Sequence, residues 1–555
     1  MTPAVPPAPA EIARLRRPPE TVMRLARMGS AHPTRLSFLR QLLRRMRTEG
    51  WRAERLLWQV DARGEGRAVY RVTGPVRSYS LVAFAHDLPD HMRSDRVIAT
   101  AWDATFALVD GTPTPTDLDR LAAHVPLQEA GRIGPGELSL SRANRSVRLF
   151  DHVVGRLAEG RQPDAALLAE TGYLMRTTAV YGSGKFGAAA HADLQDRPEM
   201  AAPFQAEMLS VWLTRAFTFD LVEHLARVRG GTRAVPLDPA LKRGLGVGNS
   251  TGLGMAPFLV NHPALISNWV MARETALARV RAQPDASPEA VAGFARALAA
   301  AQANAADWGS DHPLQQARLA DLRRDLDRLE ALSANGPWSR PQPWEALWQA
   351  GAGLSAEGQE ALLALMLEPH GALVDDLGPT MAADEAAEFG IDGAMPVGRL
   401  RAHLETACAW ALAPDYAGAE AARFWYVSEE KLEPRLGERA EEDGAERELP
   451  LATGRMLKEL HAALGDWPDT TPVARLLLAC PRHRHSLRRA QVAMRHPYAE
   501  IRDNLIGAGM LPIDMLRFKL AFFGATRFDP RSDRWVRVSL MQDAALLEDF
   551  ADGPP

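Results

Sequence analysis

From Thr34 to Gly50 the apolar residues Leu36, Phe38, Leu39, Leu42, Leu43 and Met46 recur at helical spacing with arginines opposite them, which predicts an amphipathic helix. The pattern then changes. Ala68–Val72 and Ser80–Phe84 are short β-branched or aromatic runs separated by Gly74-Pro75, the punctuation of a hairpin. Thr105–Val109, ending at Asp110-Gly111, reads as a third strand. Beyond about residue 130 the period is helical almost throughout. Val147, Phe150, Val154 and Leu157 mark one helix face, 204–229 is the longest uninterrupted helical signal, and another helix is predicted over 262–282.

These patterns predict a mainly α fold: a multi-helix globular, enzyme-like body with a small α+β N-terminal module. Four regions are expected: a disordered or loosely attached tail (1–33), the α+β module (34–130), a helical domain with two glycine-rich loops (131–332), and a C-terminal helical domain with a charged loop at 428–450 (344–555). No repeat of fixed period emerges, which argues against a solenoid.

Composition adjusts this picture only slightly. With 46% hydrophobic residues in a chain of 555, a large core is available, and a net charge of -4 does not favour nucleic acid as a partner. No apolar run of about 18 residues predicts a membrane span, and the N-terminal residues lack the apolar core of an export signal, so a cytoplasmic protein is expected. Two cysteines exclude a disulfide scaffold. The size admits a homo-oligomer.

The choice of basic residues is more informative. Lysine occurs only at Lys185, Lys242, Lys431, Lys458 and Lys519 among 65 basic residues, and asparagine only seven times, the pattern of a GC-rich genome. Under such bias a retained lysine or asparagine is expected where arginine or aspartate cannot substitute. Residues 173–268 hold two of the five lysines and three of the seven asparagines.

Two glycine-rich segments lie in that region. Tyr181-Gly182-Ser183-Gly184-Lys185-Phe186-Gly187 permits backbone conformations in which N–H groups converge, with a lysine among them. It is not a phosphate-binding Walker loop, because Ala179 and Phe186 occupy the required glycine and Ser/Thr positions. The Tyr181/Lys185 spacing of short-chain dehydrogenases is opposed by the Gly-Ser-Gly between them. Gly244–Gly254 reads as a second flexible loop, and Asn249 and Thr251 break the dinucleotide fingerprint in its main registers. Its Gly248-Asn249-Ser250-Thr251-Gly252 match to a nucleophile elbow lacks the strand and helix that the elbow needs.

Together the two segments predict a site for negative charge. Lys185, Tyr181, Glu207 and His262 are the candidate catalytic residues, and Ser183, Gly184, Gly248, Asn249, Ser250, Thr251 and Asn261 the candidate substrate-binding ones. On the helix between the segments, Glu207, Ser210, Thr214 and Thr218 form a polar stripe that is either a solvated face or a cavity wall. The expected function is acid–base chemistry of the lyase, hydratase or isomerase kind on a small anionic metabolite, with no obligatory cofactor and no membrane partner. A flavin- or nucleotide-dependent oxidoreductase and a non-catalytic helical scaffold are the alternatives. Near Cys480, His483, His485 and His496 the crowding of Arg482, Arg484, Arg488 and Arg489 disfavours a metal and favours an anionic partner or a solvated face.

Overall fold

The computed structural model describes residues 8–87, 103–127, 133–134, 136–145, 149–177, 194, 196–252, 259, 262–310, 313–384, 390–416, 423–427, 432–435, 445–448, 452–502, 512–525 and 535–551. The chain divides into two compact units, each built from two stretches of sequence. Met1–His32 with Gly252–Phe518 form a helical unit, and Pro33–Thr251 with Lys519–Pro555 form a sheet unit.

The sheet unit corrects the expectation of a small N-terminal α+β module in an otherwise helical body. Helices do predominate in the chain, but eight strands form one curled mixed sheet, a half-barrel. They are β1 (Arg52–Val60), β2 (Gly66–Thr73), β3 (Ser78–Ala85), β4 (Ala104–Asp110), β5 (Glu137–Arg145), β6 (Tyr173–Thr177), β7 (Gly246–Gly252) and a last strand, Trp535–Leu540, which adds beside β7. From β1 to β6 each strand pairs antiparallel with the next, whereas β6 and β7 run parallel.

The expected hairpin about Gly74-Pro75 joins β2 to β3, and the strand ending at Asp110 is β4. The later strands are harder to read: β5 alternates only briefly, at Leu138-Ser139-Leu140-Ser141, with its serines buried, and β7 has almost no side chains to alternate. β5 reads ELSLSRANR and β7 reads GVGNSTG. The segment expected to be a flexible glycine loop at 244–254 is thus, from Gly246 to Gly252, a strand of the sheet. Its glycines serve close packing. A Cβ on Gly246 would lie 2.2 Å from the Leu540 carbonyl oxygen, and one on Gly248 would lie 2.5 Å from the Tyr173 ring.

One face of the sheet is covered by helix Pro115–His124, whose Leu118 and Leu121 pack with Val82, Phe84, Ala107 and Leu140. The other face carries the 26-residue helix Gln205–Gly230. Its Phe217 meets Phe106 of β4 edge to face, and its Ser210 hydroxyl hydrogen-bonds that of Ser139 on β5. This helix is buried on nearly all sides, so the polar stripe in its sequence does not mark a solvent face.

The helical unit contains helices Pro263–Arg281, Pro288–Asp307, Pro313–Ala334 and Ala356–Leu367, and a sub-bundle with its own core of Val397, Leu400, Leu457, Leu460, Leu476 and Leu487. Three further strands, β8 (Arg423–Val427), β9 (Leu432–Arg435) and β10 (Ala445–Glu448), pair as a small sheet, β9 and β10 within the stretch 428–450 expected to be a charged loop and β8 just before it. The N-terminal stretch, expected to be loosely attached, is built into this unit from residue 8 onward. Arg17 is bidentate to Glu274, at 2.7 and 2.8 Å, and also donates to Glu360 at 2.7 Å. Gly29 lies so close to the backbone of Arg517 that a Cβ there would approach it to 2.4 Å. Among the described residues no helix is long and apolar enough to cross a membrane.

Candidate functional site

Where β6 ends, four residues lie side by side across the sheet: Ala85 opposite Ala104, Ala104 opposite Ala143, and Ala143 opposite Thr177. Directly paired residues point to one face, and the alternation from Phe106 and Ser139 makes it the face covered by helix Gln205–Gly230. Three alanines in a row give this end of the sheet a low, smooth floor.

At the Thr177 end of that floor the Asn249 side chain bridges two elements. Its Nδ2 donates to the Thr177 carbonyl at 3.2 Å, and its Oδ1 accepts from Lys519 Nζ at 2.9 Å. Asn249 is 1% exposed and Lys519 is fully buried. The ammonium also lies 5.1 Å from the centre of the Phe523 ring, one turn further along its own helix. Phe523, Phe522, Phe38 and Phe204 pack into one cluster, with Phe204 immediately before helix Gln205–Gly230. Burial pushes the Lys519 pKa down to about 7, because the charged form loses its hydration.

Glu207 lies in the first turn of helix Gln205–Gly230, one turn from Phe204 and one turn before Ser210. Burial pushes its carboxyl up to about 7, with a backbone hydrogen bond acting in the opposite sense. The whole stripe of Glu207, Ser210, Thr214 and Thr218 is buried, so it faces protein rather than solvent. Ser210 and Thr218 return hydrogen bonds to the carbonyls of Ala206 and Thr214, whereas the buried Thr214 hydroxyl makes none. A cation and an acid with pKa values shifted toward neutrality are therefore held in the same unit, the cation against Phe523 and the acid one turn along the chain from Phe204.

Other expected site residues are placed differently. Gly248 is paired opposite Arg176 in the ladder, and Ser250 and Thr251 continue β7. Strand pairing engages the main chain of β7, and the Gly246 N–H donates to the Gly172 carbonyl at 2.9 Å, so this segment is not an open nest for an anion. His262 belongs to the helical unit, where it is buried and precedes helix Pro263–Arg281 as its N-cap residue. Tyr181, Ser183, Gly184, Lys185 and Asn261 lie outside the described residues.

Lys519 is the residue that motif reading passed over. Two signals pointed to it: it is one of five lysines, and it interrupts the apolar run Leu516, Phe518, Leu520, Ala521, Phe522 and Phe523. Among the described residues no three His, Cys, Asp or Glu side chains are grouped to hold a metal ion. Comparison of the chain with protein-family models, with curated proteins and with solved structures finds no match.

Proposed function

We propose that the sheet unit carries a proton-transfer site for a small carboxylate- or phosphate-bearing metabolite, with Lys519 and Glu207 as the exchanging groups and Asn249 as the positioning residue. The observation that carries this reading is the buried Lys519–Asn249 hydrogen bond, set beside the carboxyl end of β6 and a floor of small side chains.

The chemistry follows from the two groups. A lysine and a glutamate that both change charge near neutral pH can each give or take a proton at little cost, the property that elimination, hydration and isomerisation require. The ammonium form favours a negatively charged substrate. Asn249 fixes the amine by accepting one of its hydrogens, leaving the others to be directed elsewhere. An arginine could not take this role, because its guanidinium stays charged.

A thermal-shift panel of small carboxylates and phosphates tests the reading. Wild-type protein should be stabilised by at least one compound, and Lys519→Met and Glu207→Gln should lose that response while remaining folded. A wild-type protein indifferent to the whole panel, or a Lys519→Met variant that responds equally, would contradict it.

A further inference from the structure

Away from the sheet unit, in the helical sub-bundle, helices Val473–Ala479 and Arg484–Arg495 turn one face to the core through Val473, Leu476, Leu487 and Ala490. Their other face is unusual. Leu478 is 83% exposed, as much as any large apolar residue described, and lies one turn from the exposed Arg475. Arg482, Arg484 and His485 follow at the surface, and Arg488 stands one turn further on.

None of Arg475, Arg482, Arg484 and Arg488 forms an ion pair among the described residues. Arg482 donates to the neighbouring His483 ring at 3.3 Å, and Arg488 Nε is buried without a hydrogen-bond partner. Arg489, by contrast, is satisfied inside by Glu500 at 2.6 Å. Burial and then Arg482 lower the His483 pKa against a smaller opposing effect of Glu459, and burial, Arg489 and Arg488 lower that of His485.

We propose that this face docks an acidic protein segment that also presents an apolar side chain to Leu478. Arginines around an apolar anchor are a composition that protein interfaces favour, and their unpaired charge calls for carboxylates. A lipid surface fits less well, since a single leucine supplies little apolar area for insertion. Single-stranded nucleic acid fits less well too, because the patch has no aromatic ring for bases to stack on.

Fluorescence anisotropy with the full chain provides the test, using a labelled synthetic glutamate-rich peptide with leucines at helical spacing. The peptide should bind with an affinity that falls as salt rises, and Leu478→Asp or the double change Arg482→Glu, Arg484→Glu should weaken it by about tenfold or more. Circular dichroism should show these surface variants folded. Absence of binding, equal binding of a leucine-free polyglutamate, or variants that bind like wild type would each overturn the proposal. Preferential binding of duplex DNA or of phosphatidylserine vesicles would assign the face to another kind of partner and overturn it as well.

Discussion

Arg17 in the helical unit and Lys519 in the sheet unit are both buried cations, and their surroundings drive their proton equilibria in opposite directions. Around Arg17, burial opposes the charge, but the carboxylates of Glu274 and Glu360 outweigh it and raise the pKa further above its usual value. Arg273 joins the same cluster at 3.4 Å from Glu274 and 3.6 Å from Glu360. This charge is locked, and it ties the N-terminal stretch to two helices distant in sequence. Lys519 is held by the neutral amide of Asn249 and an aromatic ring, and its pKa falls to about 7. Compensated burial fastens a segment, whereas burial that lowers the pKa of a lysine leaves a proton ready to move.

The contrast breaks most sharply at Lys519. Its folded-state pKa lies below the unfolded one, so the folded protein carries a penalty that is full below about pH 7 and fades as pH rises toward about 10. Lys519→Met should therefore be more stable than wild type at pH 6, by up to about 5 kcal/mol, with the difference closing at alkaline pH in urea denaturation. Arg17→Met should do the reverse. It leaves two buried carboxylates short of a partner and should cost about 3–5 kcal/mol.

Glu207 sharpens the comparison with the opposite pH sign. Its carboxyl titrates at about 7 when folded, so its penalty is absent below about pH 4 and complete above about pH 8. Glu207→Gln should match wild type in acid and exceed it by about 3 kcal/mol above neutrality, measured by the same denaturation series. A smaller effect is expected at the strand beneath the site. Gly246→Ala must part β7 from the Leu540 carbonyl and should cost about 1–3 kcal/mol in urea midpoints, reducing any ligand response with it.

Some of this was legible in the sequence because the information was local. The helix expected over 204–229 is Gln205–Gly230, and the turn chemistry of Gly74-Pro75 and Asp110-Gly111 marked its strands correctly. The rest of the sheet was hidden for two reasons. β5 alternates only over Leu138–Ser141 before Arg142, Ala143 and Asn144 break the pattern, and β7 is rich in glycine, so neither gives a full strand signature. The last strand also joins β7 only after nearly three hundred intervening residues.

The site was half legible. Asn249 and Glu207 were named from their residue types, but for a loop of free amides that turned out to be a paired strand. Lys519 lies 270 residues from Asn249, a separation that no motif spans. The scarcity of lysine and asparagine was read only over 173–268, and extended to Lys519 it would have marked a lysine within an apolar helix. The N-terminal stretch misled for a similar reason: its Pro/Ala composition concealed Arg17, whose partners lie 257 and 343 residues away.

With five lysines in the chain, the titration of Lys519 is open to direct observation. Protein labelled with carbon-13 at lysine Cε can be followed by NMR from pH 5 to 10, with Lys519→Met supplying the assignment. The account predicts one resonance with a midpoint of about 7, missing from the variant. A Lys519 resonance that stays in its charged position up to about pH 9 would contradict it.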